Sequence, residues 1–223
     1  RNFAVQKASG DYIGFIDTDD LWEKNKLKKQ IKLFKDKDTI MVYGNSWLKN
    51  EKNNKMKKFI NYHVKSGYLY KDLIERYNVG ILTSLIKKSL LKKSKITFNS
   101  IYNIIGDYDF FIRLSKNYKF QFIKEPLATY RIHTQNLSFL KKDKQIKEFF
   151  YWIKRNKKNL NEKDYLKIKN KIHNLEFINI KLSRNLISSF FYFIKFIKYI
   201  ISFKNIIILF TPNFILKKFM WFI

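Results

Sequence analysis

No cysteine occurs in this chain. Disulfide cross-links and thiolate chemistry are therefore excluded. Acidic residues are scarce: 18 Asp and Glu stand against 46 Lys and Arg, a formal charge of +28 over 223 residues. An excess of that size raises nucleic acid as a partner. Lys, however, far outnumbers Arg, whereas base and phosphate readout favours the Arg fork. No helix-turn-helix, zinc-finger or RNA-recognition pattern occurs either. Lys, Asn, Ile, Phe and Tyr are abundant together, as an AT-rich coding sequence would make them. We expect no nucleic-acid partner. An anionic membrane surface suits the charge better, each nearby Lys contributing about 1 kcal/mol. Long apolar runs are missing too. In the apolar C-terminal part the longest uncharged stretch, Asn205 to Leu216, contains Pro212 and falls short of the roughly 18–20 residues that span a bilayer. The polar opening residues give no sign of a secretory signal. A chain of this length can bury one good core with an appended helical region.

The informative stretch is Tyr12-Ile13-Gly14-Phe15-Ile16-Asp17-Thr18-Asp19-Asp20. A short aromatic and β-branched run of strand type ends in three carboxylates. Open α/β sheets place their ligands beyond strand ends of this kind. Carboxylates this close repel unless a cation holds them. Mg²⁺ is bound by one or two carboxylates together with substrate phosphates. The competing reading is that Asp19 and Asp20 only cap a following helix.

A second acidic cluster, Asp107-Tyr108-Asp109, precedes Arg113. Asp109 and Arg113 lie four apart, stacked on one helix face as an ion pair. Asp107 sits at the helix start, where it either points into a cleft or serves as an N-cap.

Several segments share one pattern: Arg1-Asn2-Phe3-Ala4, Ala8-Ser9-Gly10-Asp11-Tyr12, and Asp17-Thr18-Asp19-Asp20-Leu21-Trp22 with Lys26-Leu27-Lys28-Lys29-Gln30. Together they resemble the family 2 glycosyltransferases. Gly106 to Leu114 is similar to that family's Glu-Asp-x-Asp-x-x-x-Arg-Leu segment, with Gly106 where the family usually has Glu. Tyr130-Arg131-Ile132-His133, followed by Asn136 and Ser138, is similar to its closing motif.

The resemblance implies a nucleotide-sugar-binding α/β domain of GT-A type, a mixed sheet flanked by helices. It implies Asp17, Asp19 and Asp20 at a Mg²⁺ or Mn²⁺ ion and Asp107 as the catalytic base. Arg1, Asn2, Asp17, Arg131 and His133 would face the donor diphosphate, and Thr83, Ser84 and Trp22 the acceptor and sugar. Trp22 either packs at a helix start or stacks on a sugar. Arg1 either contacts phosphates or lies at the surface. The family's first strands do not occur in this sequence, so we expect a partial GT-A domain over residues 1–139.

Residues 21–35 read as a helix with Leu27, Ile31 and Phe34 on its apolar side. Thr39 to Trp47 reads as a strand and Lys49 to Lys58 as a charged loop. Ser66 to Tyr77 reads as a capped helix, Gly80 to Ile86 as a strand with a short helix from Ser89, and 120–132 as two short hairpin-like strands. His63 and His173 have no motif context. Residues 140–223 form a Lys- and aromatic-rich helical extension that either lies on a membrane surface or completes a core or dimer contact.

We therefore expect a metal-dependent, inverting transferase. Its donor would be a nucleotide-diphosphate sugar, with a UDP-sugar favoured, and its acceptor a cell-envelope glycan or lipid-linked hydroxyl. We expect it to be cytoplasmic, on the inner face of a bacterial plasma membrane. The competing readings are an inactive fragment of such an enzyme and a basic peripheral membrane protein whose carboxylates are structural.

Overall fold

The structure, a computed structural model, describes residues 1–136, 140–183 and 186–219. Ser138 and the expected boundary at 139 lie outside the described residues. The chain divides into two compact units, Arg1–Leu140 and Lys141–Ile223.

The first unit is a mixed sheet flanked by helices. Its strands are β1 (Tyr12–Gly14), β2 (Leu21–Trp22), β3 (Thr39–Asn50), β4 (Met56–Lys58), β5 (Leu85–Lys87) and β6 (Lys119–Ile132), in the order β1-β5-β3-β6-β2 with β4 on β3. The core of the sheet is the parallel β3–β6 pair; β1, β5 and β2 pair antiparallel with their neighbours. Ile40, Met41, Val42 and Tyr43 of β3 are fully buried, as a central strand covered on both faces requires. The helices are α1 (Asn2–Lys7), α2 (Lys26–Ile31), α3 (Tyr70–Glu75), α4 (Lys88–Ser94) and α5 (Gly106–Ser115).

Several elements differ from the sequence reading, each for a local reason. Residues 120–132 form one continuous strand. The register against β3 shifts between Gly44 and Ser46, so the extra residues around Pro126 form a bulge where a proline's missing donor costs nothing. Residues 49–58 turn back as β4, with Asn54 in the left-handed region (φ 55°). Residues 80–84 are a 3-10 turn, Ile81–Thr83, and β5 begins only at Leu85. Ser66 does not cap α3. Its hydroxyl accepts from the Phe122 N–H at 3.0 Å, beside the Gly67–Phe120 bridge.

Helix α2 is the largest departure. Leu27 and Ile31 are 42% and 47% exposed, while Lys26 and Gln30 are buried at 1% and 0%. Gln30 Nε2 donates to the carbonyls of Val42 (2.7 Å) and Thr83 (2.8 Å), and its Oε1 accepts from Lys26 Nζ at 2.8 Å. These carbonyls need donors, and buried backbone acceptors rarely go without one. The polar side of α2 therefore faces inward. The helix stops at Ile31, and Phe34 packs separately with Leu33 against Val42, Ile123 and Leu127.

The second unit is all helix: α6 (Lys142–Asn156), α7 (Glu162–Ser183), α8 (Leu186–Lys195), α9 (Ile197–Ile200), α10 (Phe203–Phe210) and α11 (Asn213–Phe219). Phe177, Phe193, Ile200, Ile208, Leu209 and Leu216 form its core. Ile187, Phe191, Ile201, Phe210 and Phe214 are exposed by 62% or more. No helix among the described residues is long and apolar enough to cross a membrane.

Two outcomes follow for the sheet. Gln30→Leu leaves two buried carbonyls and a buried ammonium without their partner, and should lower stability by roughly 2–4 kcal/mol in urea denaturation. A Cβ at Gly44 would lie 2.5 Å from Leu127 Cδ1 and 3.1 Å from the Ile123 carbonyl. Gly44→Ala should therefore cost about 1–3 kcal/mol by overpacking, read as a lower denaturation midpoint at unchanged slope.

Candidate active site

After β1 the chain leaves the sheet, and the Asp20 N–H donates to the Asp17 carbonyl at 3.1 Å. That turn delivers Leu21 and Trp22 into register with Thr129 and Ala128 of β6. It also sorts the three carboxylates. Asp20 turns inward, 6% exposed, and its Oδ1 accepts from the Arg131 N–H at 3.0 Å. Burial pushes its carboxyl up to about 6, with the charges of Asp19 and Asp17 acting in the same direction. Asp17 stays exposed. Asp19, with its side chain 40% exposed, meets His133 Nε2 through Oδ2 at 2.9 Å. That hydrogen bond holds its carboxyl below the usual range.

The imidazole's proton can be placed. The Gln135 N–H donates to His133 Nδ1 at 3.2 Å, so the neutral ring carries its hydrogen on Nε2, directed at Asp19. Asn136 shapes this corner. Its Oδ1 accepts from the His133 N–H at 2.7 Å, and its Nδ2 donates to the Arg131 carbonyl at 3.2 Å. The Arg131 guanidinium grips Glu51, Nε to Oε1 at 2.9 Å and Nη2 to Oε2 at 3.4 Å. Glu51 was invisible as a partner in sequence, because it lies 80 residues away at the end of β3.

Asp107 is the second residue of α5, behind Gly106. It does not act as the cap: the N-cap position is Ile105, and the Asp107 carboxylate accepts from its neighbour Tyr108 N–H at 2.8 Å. Burial raises its pKa. The positive charge of Arg1 opposes that shift and the negative charge of Asp17 reinforces it. The fold thus brings Arg1, Asp17 and Asp107 into one electrostatic neighbourhood. Arg1 is placed by Phe98, whose ring lies 5.6 Å from its guanidinium carbon. Tyr77, which the sequence suggests only as the end of a helix, also belongs here. Its hydroxyl is buried without a hydrogen-bond partner among the described residues, and burial, then the charge of Asp107, raises its pKa. A Cβ on Gly106 would meet nothing within 4 Å, so a larger residue has room there. Asp109 is structural, paired with Arg113 Nη2 at 2.7 Å.

Four further residues expected at the ligand hold the walls instead. Asn2 is clamped to the Phe98 backbone, donating at 2.8 Å and accepting at 2.9 Å. Thr83 and Ser84 are fully buried, their hydroxyls donating to the carbonyls of Gly80 and Ile81 at 2.8 Å. Trp22 lies in strand β2 rather than at a helix start, donates to the Leu82 carbonyl at 2.8 Å and lies under Lys26 Nζ at 4.1 Å.

Among the described residues no three His, Asp or Glu side chains come close enough to hold a metal ion alone. A hard dication that takes most of its ligands from phosphate and water needs only one or two carboxylates. The exposed Asp17 and the half-exposed Asp19 satisfy that demand; Asp20, turned inward, does not add to it.

The glycosyl transferase family 2 model matches residues 1–114. An uncharacterized glycosyltransferase of Methanocaldococcus jannaschii is 32% identical over 71% of this chain and 55% of its own length. The putative teichuronic acid biosynthesis glycosyltransferase TuaG of Bacillus subtilis is 27% identical over 62% of this chain and 53% of its own. The chain spans about half the length of these relatives. Residues 1–349 of S. aureus TarS share the fold at a TM-score of 0.54, with 16% identity, over 84% of this chain and 55% of that one. With half of its residues matched by the family model, this chain belongs to glycosyl transferase family 2.

Proposed function

We propose that the chain transfers a sugar from a nucleotide-diphosphate donor, with a UDP-sugar favoured, to a hydroxyl of a cell-envelope glycan or lipid-linked acceptor. The reaction inverts the anomeric centre and uses Mg²⁺ or Mn²⁺. The observation that carries this reading is Asp107, a carboxylate made more basic by burial that feels both the acidic loop and Arg1. Two neighbours support the ligand classes. TarS has been crystallised with UDP, and an Escherichia coli relative is named as a glucosyltransferase acting on α-D-GlcNAc-diphosphoundecaprenol.

Asp107 takes the proton of the acceptor hydroxyl as that oxygen attacks the anomeric carbon, a contribution on the order of 10²–10⁴-fold. Its raised pKa brings it nearer the working pH, where a base is most effective. Asp17 and Asp19 would hold the cation, which neutralises charge on the departing diphosphate as a Lewis acid. His133 fixes the orientation of Asp19 through its Nε2 hydrogen, and Arg131 supplies positive charge on the opposite side of the diphosphate. The exposed apolar side chains of α8, α10 and α11, together with the lysines between them, would rest on an anionic membrane surface. A position on the inner, cytoplasmic face of the plasma membrane would suit this contact and bring the enzyme to lipid-linked acceptors.

Asp107→Asn separates catalysis from folding. Transfer should fall at least 100-fold. The folded-state pKa is raised, so the carboxyl contributes stability below its unfolded value of about 4 and loses it as pH rises through the folded value. The Asn variant should therefore melt at or above the parent temperature at pH 7.5, an advantage that vanishes near pH 4. An activity loss accompanied by a lower melting temperature at pH 7.5 would mark Asp107 as structural.

Donor binding is read by thermal shift. Mn²⁺ with a panel of nucleoside diphosphates should raise the melting temperature with one nucleotide, and Asp19→Ala should abolish that shift. If no nucleotide shifts it, the catalytic reading fails for this chain, leaving an inactive fragment of such an enzyme or a basic peripheral membrane protein with structural carboxylates.

A further inference from the structure

The second unit contains a cavity of about 820 Å³ that the transfer reading does not use. One side is a stripe of α7, with Lys169, His173, Glu176 and Ile180 at steps of four, three and four residues; α8 and α9 supply the other. The floor is a hydrogen-bonded relay. Tyr192 donates its one hydroxyl hydrogen to Glu176 Oε2 at 2.5 Å. His173 Nδ1, 2.7 Å from the Tyr192 hydroxyl oxygen, must then be the donor to that oxygen. The imidazole is neutral. Burial, with the charge of Lys169, lowers its pKa to about 4. The rings of Phe196 and Tyr199 stack on it at 4.4 and 4.7 Å, and Phe150 meets it edge-on at 5.2 Å. Glu176, the one carboxylate in the lining, is thereby engaged.

The cations around this chamber have no such match. Lys169 Nζ donates to the Tyr199 hydroxyl at 3.0 Å. Lys198 lies 5.0 Å from the Tyr199 ring and Lys195 5.4 Å from that of Phe196. None of the three forms an ion pair with a carboxylate among the described residues. Phe191, in the lining, is 69% exposed, and Phe190 and Ile194 beside it are 47% and 52% exposed. An open aromatic groove thus adjoins an apolar helix face and is edged by three ammonium groups with no carboxylate partner among the described residues. Its volume falls in the range of small-molecule sites, which are mostly apolar with a few placed polar groups.

We propose that this cavity binds an amphiphile with a multiply charged phosphate head, a phosphomonoester or diphosphate, its head at Lys169, Lys195 and Lys198 and its hydrocarbon chain against Phe150, Phe191 and Phe196. Charge selects the head. The phosphodiester of an ordinary phosphatidylglycerol carries a single negative charge and leaves two lysines unmatched, whereas a diphosphate answers all three. Apolarity selects the tail, since inorganic diphosphate would leave the aromatic wall in water. The site lies entirely in residues 150–199 and does not depend on the transfer reading.

The test uses the full chain in EDTA, titrated calorimetrically with farnesyl diphosphate below its micellar concentration. One saturable site is expected. Lys169→Gln with Lys198→Gln should weaken it at least tenfold at unchanged melting temperature. Should that double variant fold poorly, Lys195→Gln, whose ammonium makes no hydrogen bond among the described residues, should still weaken it several-fold. Farnesol, inorganic diphosphate and monomeric dihexanoyl-phosphatidylglycerol should each bind at least tenfold more weakly. Asp19→Ala should bind farnesyl diphosphate like the parent. The proposal is overturned by the absence of saturable binding, by lysine variants that bind normally, or by phosphatidylglycerol or farnesol binding equally well. Loss of binding in Asp19→Ala would place the ligand in the donor cleft and overturn it too. Failure of the nucleotide thermal shift leaves this result untouched, so the two readings fail separately.

Discussion

The candidate site depends on one buried contact, the Asp20 carboxylate accepting from the Arg131 N–H at 3.0 Å. It ties the loop after β1 to the end of β6 across 111 residues of chain. A charged acceptor of this kind is stronger than a neutral one, although burial raises the pKa of Asp20 to about 6 and so weakens its preference for charge. Because Asp20 points inward, Asp17 and Asp19 are left facing outward. Because it holds Arg131 by the backbone, the Arg131 side chain is free to reach Glu51, and His133 two residues on is delivered to Asp19. Removing that clasp would free both ends of the acidic corner at once.

A second polar knot supports the first. Lys26 and Gln30 bridge α2, the centre of β3 and the 3-10 turn before β5. Burying an ammonium is unfavourable, and here it lowers the Lys26 pKa to about 8. The cost is tolerated because Gln30, the Ser84 carbonyl and the Trp22 ring all face the charge. Partly satisfied, such a network is worse than an apolar core, but fully satisfied it fixes one arrangement. Here it fixes where Trp22 and the 81–84 turn stand, and therefore one wall of the cleft.

The sequence is most legible where chemistry and periodicity agree. The run from Tyr12 to Asp20, the Asp109–Arg113 pair and the placement of Asp107 at a helix start all rest on spacing within a few residues. The rest depends on partners distant in sequence. Nothing near Leu27 and Ile31 says that two carbonyls from β3 and the 81–84 turn require donors, so periodicity alone makes the apolar stripe of α2 its buried side. The bulge at Pro126 looks like a chain reversal until β3 lies alongside it. Asn2, Thr83 and Ser84 carry the groups a ligand would use, but those groups are occupied by nearby backbone, and only coordinates reveal such occupation. Tyr77 and Glu51 carry no local signal for the converse reason. Their neighbours Asp107 and Arg131 lie 30 and 80 residues away.

The C-terminal residues show how composition alone can misdirect. Ile, Phe and Tyr are dense from residue 186 on, and the sequence offers either a membrane surface or a core as their use. In the structure they divide by position along each helix. Phe193, Ile200, Ile208, Leu209 and Leu216 turn inward on Phe177, while Ile187, Phe191, Phe210 and Phe214 face outward. Helices with a wide apolar circumference can do both, because one stripe suffices for packing on the neighbour. What remains outside includes Ile187, Phe191, Phe210 and Phe214, each exposed by 64% or more. Lysines at 195, 198 and 204 interrupt it, each able to lay its hydrocarbon stem along the apolar face with the ammonium at the edge. Packing inward and apolar exposure are therefore not alternatives for this segment. The inward stripe gives the unit its core, and the outward one is left exposed beside lysines.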